Sequence, residues 1–216
     1  MSASMKKLQK KVALAVPLLG IALVMTLAHP VTFAALVSFA GFKSWRELKA
    51  LEDKFEKRPL ITREKAFVVG GLGAATALRF VSLPMTLAIG LGAIANDIAA
   101  SLTGIAVGRR FIKQGLSQYS PKKSWEGAIA GITAGTLTFC SFAGFSRRKL
   151  LAGILVAVAG VAGDLQESAM KRDLGIKDAS SALGEHGGWT DRIDNLVRSF
   201  VVGACFVPFL RLKRKM

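Results

Sequence analysis

Long apolar runs recur along this chain, and they constrain its fold more than any other feature. The first extends from Val12 to Phe42, broken only at His29-Pro30, and further runs occupy Ala66–Ser82, Pro84–Val107, Gly127–Phe145, Leu150–Leu165 and Ile193–Leu210. A helix of about 20 apolar residues crosses the hydrocarbon of a bilayer. Backbone in lipid must satisfy its own hydrogen bonds, so only helices and closed barrels span it. No segments of the alternating pattern of a membrane barrel are present. The expected fold is all-α, a polytopic transmembrane helical bundle of about six to eight helices, forming a single integral membrane domain over residues 1–216. The run from Val12 to Phe42 is too long for one upright span and is expected to form a helical hairpin turning near Pro30.

Charge narrows the class further. The chain carries a formal charge of +16, yet 51% of its residues are hydrophobic and its mean hydropathy is +0.42. A disordered basic tail would lack the apolar residues. A soluble nucleic-acid binder would lack the long runs, so no nucleic-acid partner is expected. Most Lys and Arg fall at the N-terminus (Lys6, Lys7, Lys10, Lys11) and in three polar segments read as loops, Lys43–Lys65, Arg109–Glu126 and Glu167–Arg192. The positive-inside rule places these on the cytoplasmic side of the cell (inner) membrane, with about seven passes. Arg147-Arg148-Lys149 and the tail Arg211–Lys215 disagree with that count. The N-terminal lysines ahead of an apolar run, with no cleavage site, read as an uncleaved signal anchor. Cys140 and Cys205 lie in apolar runs without partner spacing and read as packing residues. Gly104/Gly108 and Gly131/Gly135 have the spacing of close helix packing. His29 is given no role.

Carboxylates carry the chemistry. Seven of the 14 acidic residues fall between Asp164 and Asp194, in a strongly basic protein. Asp97 and Asp164 each end an apolar run, where an ionised carboxylate is costly and calls for a partner. Asp191 and Asp194 share one face if the last helix starts there. Helix capping would explain any one of these alone. Together Asp97, Asp164, Asp191 and Asp194 suggest a divalent metal site, and hard oxygen ligands near phosphates favour Mg2+. Basic residues interleave with them: Lys122 and Lys123 beside Ser120, then Lys171, Arg172, Lys177 and Arg192, with His186-Gly187-Gly188 just before Asp191. Cations and exposed backbone N–H groups beside metal-binding carboxylates suit phosphoryl or nucleotidyl transfer in short cytoplasmic active-site loops.

The stretch from Ser168 through Lys171-Arg172 and Lys177-Asp178 to Leu183-Gly184-Glu185-His186-Gly187-Gly188-Trp189-Thr190-Asp191-Arg192-Ile193-Asp194 resembles the signature of the phosphatidate cytidylyltransferase (CDP-diacylglycerol synthase) family. Asp97-x-x-Ala100-x-x-x-Gly104-x-x-x-Gly108-Arg109, Ser120-Pro121-Lys122-Lys123-Ser124-Trp125-Glu126-Gly127 and Gly163-Asp164-Leu165-x-Glu167-Ser168 agree with it. The resemblance spans about residues 95–198, the expected catalytic core, and Trp45-Arg46-Glu47-Leu48 is weakly similar to an earlier family segment. Ser101 stands where the family has an aromatic residue, and Trp189 where it has an aliphatic one. The chain also lacks length between Glu47 and Asp97 relative to the family.

The resemblance implies a reaction of CTP with phosphatidic acid, giving CDP-diacylglycerol and diphosphate with Mg2+ as cofactor. It implies catalytic roles for Asp164, Asp191, Lys171 and Arg172. Nucleotide-binding roles fall to Ser120, Lys122, Lys123, Lys177, His186, Gly187, Gly188 and Arg192, and metal ligation to Asp97, Asp164, Asp191 and Asp194. A second copy of the chain (a homodimer) is a further candidate partner. The alternatives are a CTP-dependent polyprenol or phytol kinase, a non-catalytic paralogue and a transporter. The His186-Gly187-Gly188-x-x-Asp191-Arg192-x-Asp194 run favours the cytidylyltransferase over the kinase, and the long polar loop argues against a transporter.

Overall fold

The computed structural model describes residues 20–56, 58–184 and 187–211. Among the described residues all regular structure is helical, with one isolated antiparallel bridge between Gly115 and Ser124. After a helical stretch at 20–28 come α1 (Pro30–Phe55), α2 (Pro59–Val81), α3 (Leu83–Val107), α4 (Trp125–Ala143), α5 (Arg147–Asp173) and α6 (Thr190–Arg211). The all-α expectation holds. Two of the helices, α3 and α5, are long and apolar enough to cross a membrane.

Helix starts are written locally. Ser82, Ser124 and Ser146 are N-caps, their hydroxyls accepting from the N–H of Met85, Gly127 and Lys149 at 3.4, 3.1 and 3.3 Å. Pro30 and Pro59 open α1 and α2, where a missing N–H costs nothing. His29, given no role from sequence, caps α1: its Nδ1 accepts from Val31 N at 3.2 Å, and Thr32 Oγ1 accepts from His29 N. The apolar run is therefore interrupted at Pro30 as expected, while its part before Gly20 lies outside the described residues.

The segment Lys43–Lys65 is not a loop. Its polarity reflects one exposed face of a helix, since Ser44, Glu47, Leu48 and Leu51 of α1 are buried at helical spacing. α2 then begins at Pro59, ahead of its apolar run. Asp97 and Asp164 likewise lie inside helices rather than at their ends, because α3 continues to Val107 and α5 to Asp173. Cys140 is buried as expected of a packing residue, but Cys205 is exposed.

α6 runs against α1, α2, α3 and α5, while α3 and α4 pack face to face. One apolar cluster joins Phe33, Leu78, Ile89, Phe139, Val156 and Phe200. A second, centred on Leu48, Ile61, Val68, Met170, Ile193 and Val197, underlies the carboxylates. Glycines bring α3 and α4 together: a Cβ on Gly127 would lie 2.7 Å from Ala100 O, and one on Gly131 would lie 2.7 Å from Asn96 O. Gly131→Val is therefore expected to cost about 1–3 kcal/mol by overpacking. A melting temperature in detergent equal to that of the wild type would contradict this close approach.

Candidate active site

Asp164 and Glu167 lie one turn apart on α5, and Asp194 lies near the start of α6. Their carboxylates each place an oxygen within 4.8 Å of the others. Such a cluster of like charge needs cations nearby. Lys123 supplies one by pairing with Asp164. Lys171 supplies another, with Nζ 2.6 Å from Glu167 Oε2 and 2.6 Å from Asp191 Oδ1. Glu167 is 1% exposed, yet neither of its oxygens has a hydrogen bond of good geometry. Asp194 Oδ1 accepts from Asn195 N at 2.7 Å. Buried, under-bonded carboxylate oxygens suit a hard divalent cation.

Asp191 has a different set of partners. Oδ1 accepts from Lys171 Nζ at 2.6 Å, and Oδ2 accepts from Ala179 N at 3.0 Å and Gly188 N at 2.7 Å. It thereby ties the loop between α5 and α6 to the start of α6. Gly187 has φ +76°, and a Cβ there would lie 2.8 Å from Asp191 Oδ2. Glycine is needed on both counts.

Glu47 closes the same loop from α1. Its Oε1 accepts from Ser180 Oγ at 2.7 Å and Trp189 N at 2.9 Å. Its Oε2 accepts from Thr190 N at 2.9 Å and Thr190 Oγ1 at 3.0 Å. Ser44 Oγ lies 2.8 Å from Thr190 Oγ1, and Phe39 meets Trp189 edge to face with ring centroids 5.4 Å apart. The free N–H groups at the N-terminus of α6 thus receive a carboxylate from another helix.

A cavity of about 350 Å³ opens between the α3–α4 connection and the carboxylates, lined among others by Asp97, Ser120, Lys122, Lys123, Asp164 and Asn195. Burial pushes the Lys123 ammonium down from its ordinary value, against the pull of Asp194, Asp97 and Glu167. The connection itself is fastened by Glu126, which accepts from Arg109 N at 3.2 Å and from Phe111 N and Ile112 N at 2.9 Å each. Those N–H groups, Ile112 foremost, hold its carboxyl down at about 2, so it stays ionised under all ordinary conditions.

Of the residues expected from sequence, the structure thus gathers Asp97, Ser120, Lys122, Lys123 and Asp164 around one cavity. Asp194 stands beside Asp164, and Lys171 joins Asp191 to that cluster. Gly187 lies against Asp191, and Gly188 lies against Glu47 and Ser180 while its N–H donates to Asp191. Arg172, Lys177 and Arg192 are exposed, with Arg172 Nη1 donating to Ile176 O at 2.7 Å. His186 lies outside the described residues. Sequence reasoning assigned no role to Glu167, although it shares a face with Asp164 and Lys171 at helical spacing. Glu47 was quoted only within a weak similarity. Its partners are more than a hundred residues away, and no local pattern marks them.

The model of the cytidylyltransferase family matches residues 66–210, most of the chain and all of the carboxylate cluster. The chain belongs to that family. Among its relatives, a phosphatidate cytidylyltransferase of Aquifex aeolicus is 42% identical over 106 residues, covering 48% of this chain and 39% of that protein. One from Mycobacterium bovis is 43% identical over 110 residues, 48% of this chain and 36% of its own length. Phosphatidate cytidylyltransferase 5 of Arabidopsis thaliana is 39% identical over 127 residues, 56% of this chain and 30% of its own length. This cytidylyltransferase-family chain therefore matches about a third of the length of those relatives, and α1, with Glu47, precedes the family match.

Proposed function

We propose that the protein is a phosphatidate cytidylyltransferase, joining CTP and phosphatidic acid to give CDP-diacylglycerol and diphosphate. The observation that carries this reading is the convergence of Asp164, Glu167 and Asp194 with Lys123 and Lys171 beside an open cavity, in a chain of the cytidylyltransferase family. A lipid phosphomonoester is largely ionised near neutral pH, since its second pKa is about 6. One of its oxygens forms a bond to the α-phosphorus of CTP, the bond to the bridging oxygen of diphosphate breaks, and that oxygen keeps the electron pair. No strong base is asked of the protein. Lys122 and Lys123 hold nucleotide phosphate, with Ser120 beside them. Lys171 and Asp191 tie the α5–α6 loop to the acidic cluster, and the exposed Arg172, Lys177 and Arg192 are the further donors to phosphate.

Asp164, Glu167 and Asp194 fit Mg2+, because they offer converging hard oxygen donors and both Glu167 oxygens are left without a hydrogen bond of good geometry. Bound there, the ion would supply charge compensation at the triphosphate. Asp97, on the cavity wall, and Asp191 complete the acidic surroundings. The helices form a polytopic bundle in the cell membrane with this site facing the cytoplasm, where CTP is found. Large apolar side chains exposed on several helices, such as Val69 of α2 at 59%, Ile129 of α4 at 59% and Leu151 of α5 at 61%, support burial in lipid.

The test uses purified protein in detergent with phosphatidic acid, Mg2+ and CTP labelled at either the α or the γ phosphorus. The expected product is a lipid carrying only the α label. Transfer of the γ label would make the protein a kinase, and no labelled lipid from either substrate would refute the assignment.

A further inference from the structure

A second cavity of about 220 Å³ adjoins the first, lined by Gly104, Gly108, Arg109, Lys122 and Ser124. The two share Gly104, Lys122 and Ser124, so they are contiguous. Their electrostatics differ. The first mixes Asp97 and Asp164 with lysines, whereas the second has two cationic side chains and no carboxylate in its lining. Among the described residues neither Arg109 nor Lys122 makes an ion pair. The nearby carboxylate of Glu126 is taken up by the N–H groups of Arg109, Phe111 and Ile112. It fixes the turn without occupying the cavity. The floor is glycine, and a Cβ on Gly108 would come 3.0 Å from Ser124 Oγ.

An apolar track leads away from the junction of the two cavities, where Ile105 lines the first cavity beside Gly104, which lines both. On α3, Ile98, Leu102 and Ile105 follow one another at helical spacing and are 52%, 62% and 85% exposed. α3 is itself one of the two helices suited to cross a membrane. Phe111, 78% exposed, stands on the other side of Arg109 in the chain. A cationic, carboxylate-free pocket that adjoins the inner end of an outward apolar stripe matches an amphiphile with an anionic head. A soluble nucleotide would have no use for the stripe.

We propose that this second cavity is the subsite for the phosphate of a phosphomonoester lipid, with Arg109 as its own ligand, Lys122 shared with the nucleotide cavity, and the chains lying along Ile98, Leu102 and Ile105. This rests on the cytidylyltransferase reading and deepens it. The nucleotide takes the first cavity, and the lipid phosphate reaches the α-phosphorus across the shared wall of Gly104, Lys122 and Ser124. Arg109 sets the affinity for lipid phosphate and leaves that for nucleotide alone.

Arg109→Gly is the discriminating variant. Arg109 has φ +63°, a conformation that glycine adopts freely, so the change removes the guanidinium without straining the turn. With full-length protein in detergent, the KM for dioleoyl phosphatidic acid is expected to rise about tenfold, as for the loss of one charge-assisted hydrogen bond. The KM for CTP should stay within about twofold, and Arg109→Lys should recover most of the loss. A parallel rise in both KM values, or an unchanged lipid KM, would overturn the assignment. Direct binding of fluorescent phosphatidic acid separates this subsite from the reaction. Binding that Arg109→Gly weakens, without turnover in the wild type, would keep the subsite and refute the transferase reading. Turnover with lipid binding indifferent to Arg109 would do the reverse. Competition by inorganic phosphate as effective as by phosphatidic acid would refute the lipid half of the proposal.

Discussion

Glu167→Gln is expected to make the protein more stable and nearly inactive. Glu167 is buried with Asp164 and Asp194 close by, and its oxygens lack well-formed hydrogen bonds. In the absence of a divalent cation, the charge is offset only in part, by Lys171. Glutamine keeps the shape and removes one of three crowded carboxylates, while Lys171 retains Asp191. A gain of about 1–2 kcal/mol in metal-free protein follows, read as a higher melting temperature in a chelating buffer. Mg2+ should raise the melting temperature of the wild type and do little for the variant, because only a state that binds the ion gains from it. Turnover should fall about a hundredfold or more, the usual scale for losing an electrostatic group at a reacting phosphate. Equal Mg2+ stabilisation of the two proteins would end the assignment of Glu167 as a metal ligand, whatever the activity.

How much of this was legible in the sequence depends on how far apart the interacting residues lie. The helices were legible because serine caps, prolines and apolar runs are local features, as at Ser82-Leu83-Pro84 and Ser124-Trp125. The acidic cluster was legible only in part: Asp164 and Asp194 stand near the two ends of one polar stretch, but Glu167 had no assigned role. Asp191, expected to share an ion with Asp164, is instead held by Lys171 and the N–H groups of Ala179 and Gly188. Two errors came from treating polarity as absence of structure. Lys43–Lys65 is polar because one face of α1 is exposed, while Ser44, Glu47, Leu48 and Leu51 form the other. Asp97 and Asp164 do not end their helices, since a carboxylate that faces a cavity and a lysine interrupts hydropathy without interrupting the hydrogen-bond ladder. The partners of Asp191 illustrate a further limit. The Gly187-Gly188 motif could be read as close backbone approach to nucleotide, but only coordinates show that Gly188 N–H binds Asp191 itself. Arg198 was equally hidden: it pairs with Glu64 and donates to Asp194 O at 3.2 Å, linking α2 to α6 beneath the site.

Glu47→Ala is expected to cost activity by loosening the site rather than by removing a group that touches substrate. The Glu47 carboxylate, 9% exposed, accepts from Ser180 Oγ, Trp189 N, Thr190 N and Thr190 Oγ1. Truncation would deprive the N–H groups of Trp189 and Thr190 and the Thr190 hydroxyl at the start of α6, and the Ser180 hydroxyl in the preceding loop, of this acceptor. Hydrogen bonds to a charged group contribute about 1.5–3 kcal/mol each and are not additive, so a loss of roughly 3 kcal/mol for the set is reasonable. Little of it need appear as global unfolding, because Leu48 and Leu51 still anchor α1 in the apolar cluster around Ile61 and Met170. The loss should concentrate in residues 174–190, where the Asp191 bonds to Ala179 N and Gly188 N and the packing of Leu174, Ile176 and Ala179 would then be left to hold the loop. Hydrogen exchange should accelerate there by about a hundredfold, as expected when a local opening is eased by this amount, while the middle of α3 and α5 stays protected. Turnover should fall by about tenfold to a hundredfold, the range seen when residues supporting a site are removed. Glu47→Gln, which keeps an acceptor oxygen for Trp189 or Thr190 but not both pairs, should fall between Ala and wild type. Because the family match begins beyond α1, the outcome also decides whether this helix supports the site. Unchanged exchange in residues 174–190 with full activity in Glu47→Ala would show that it does not.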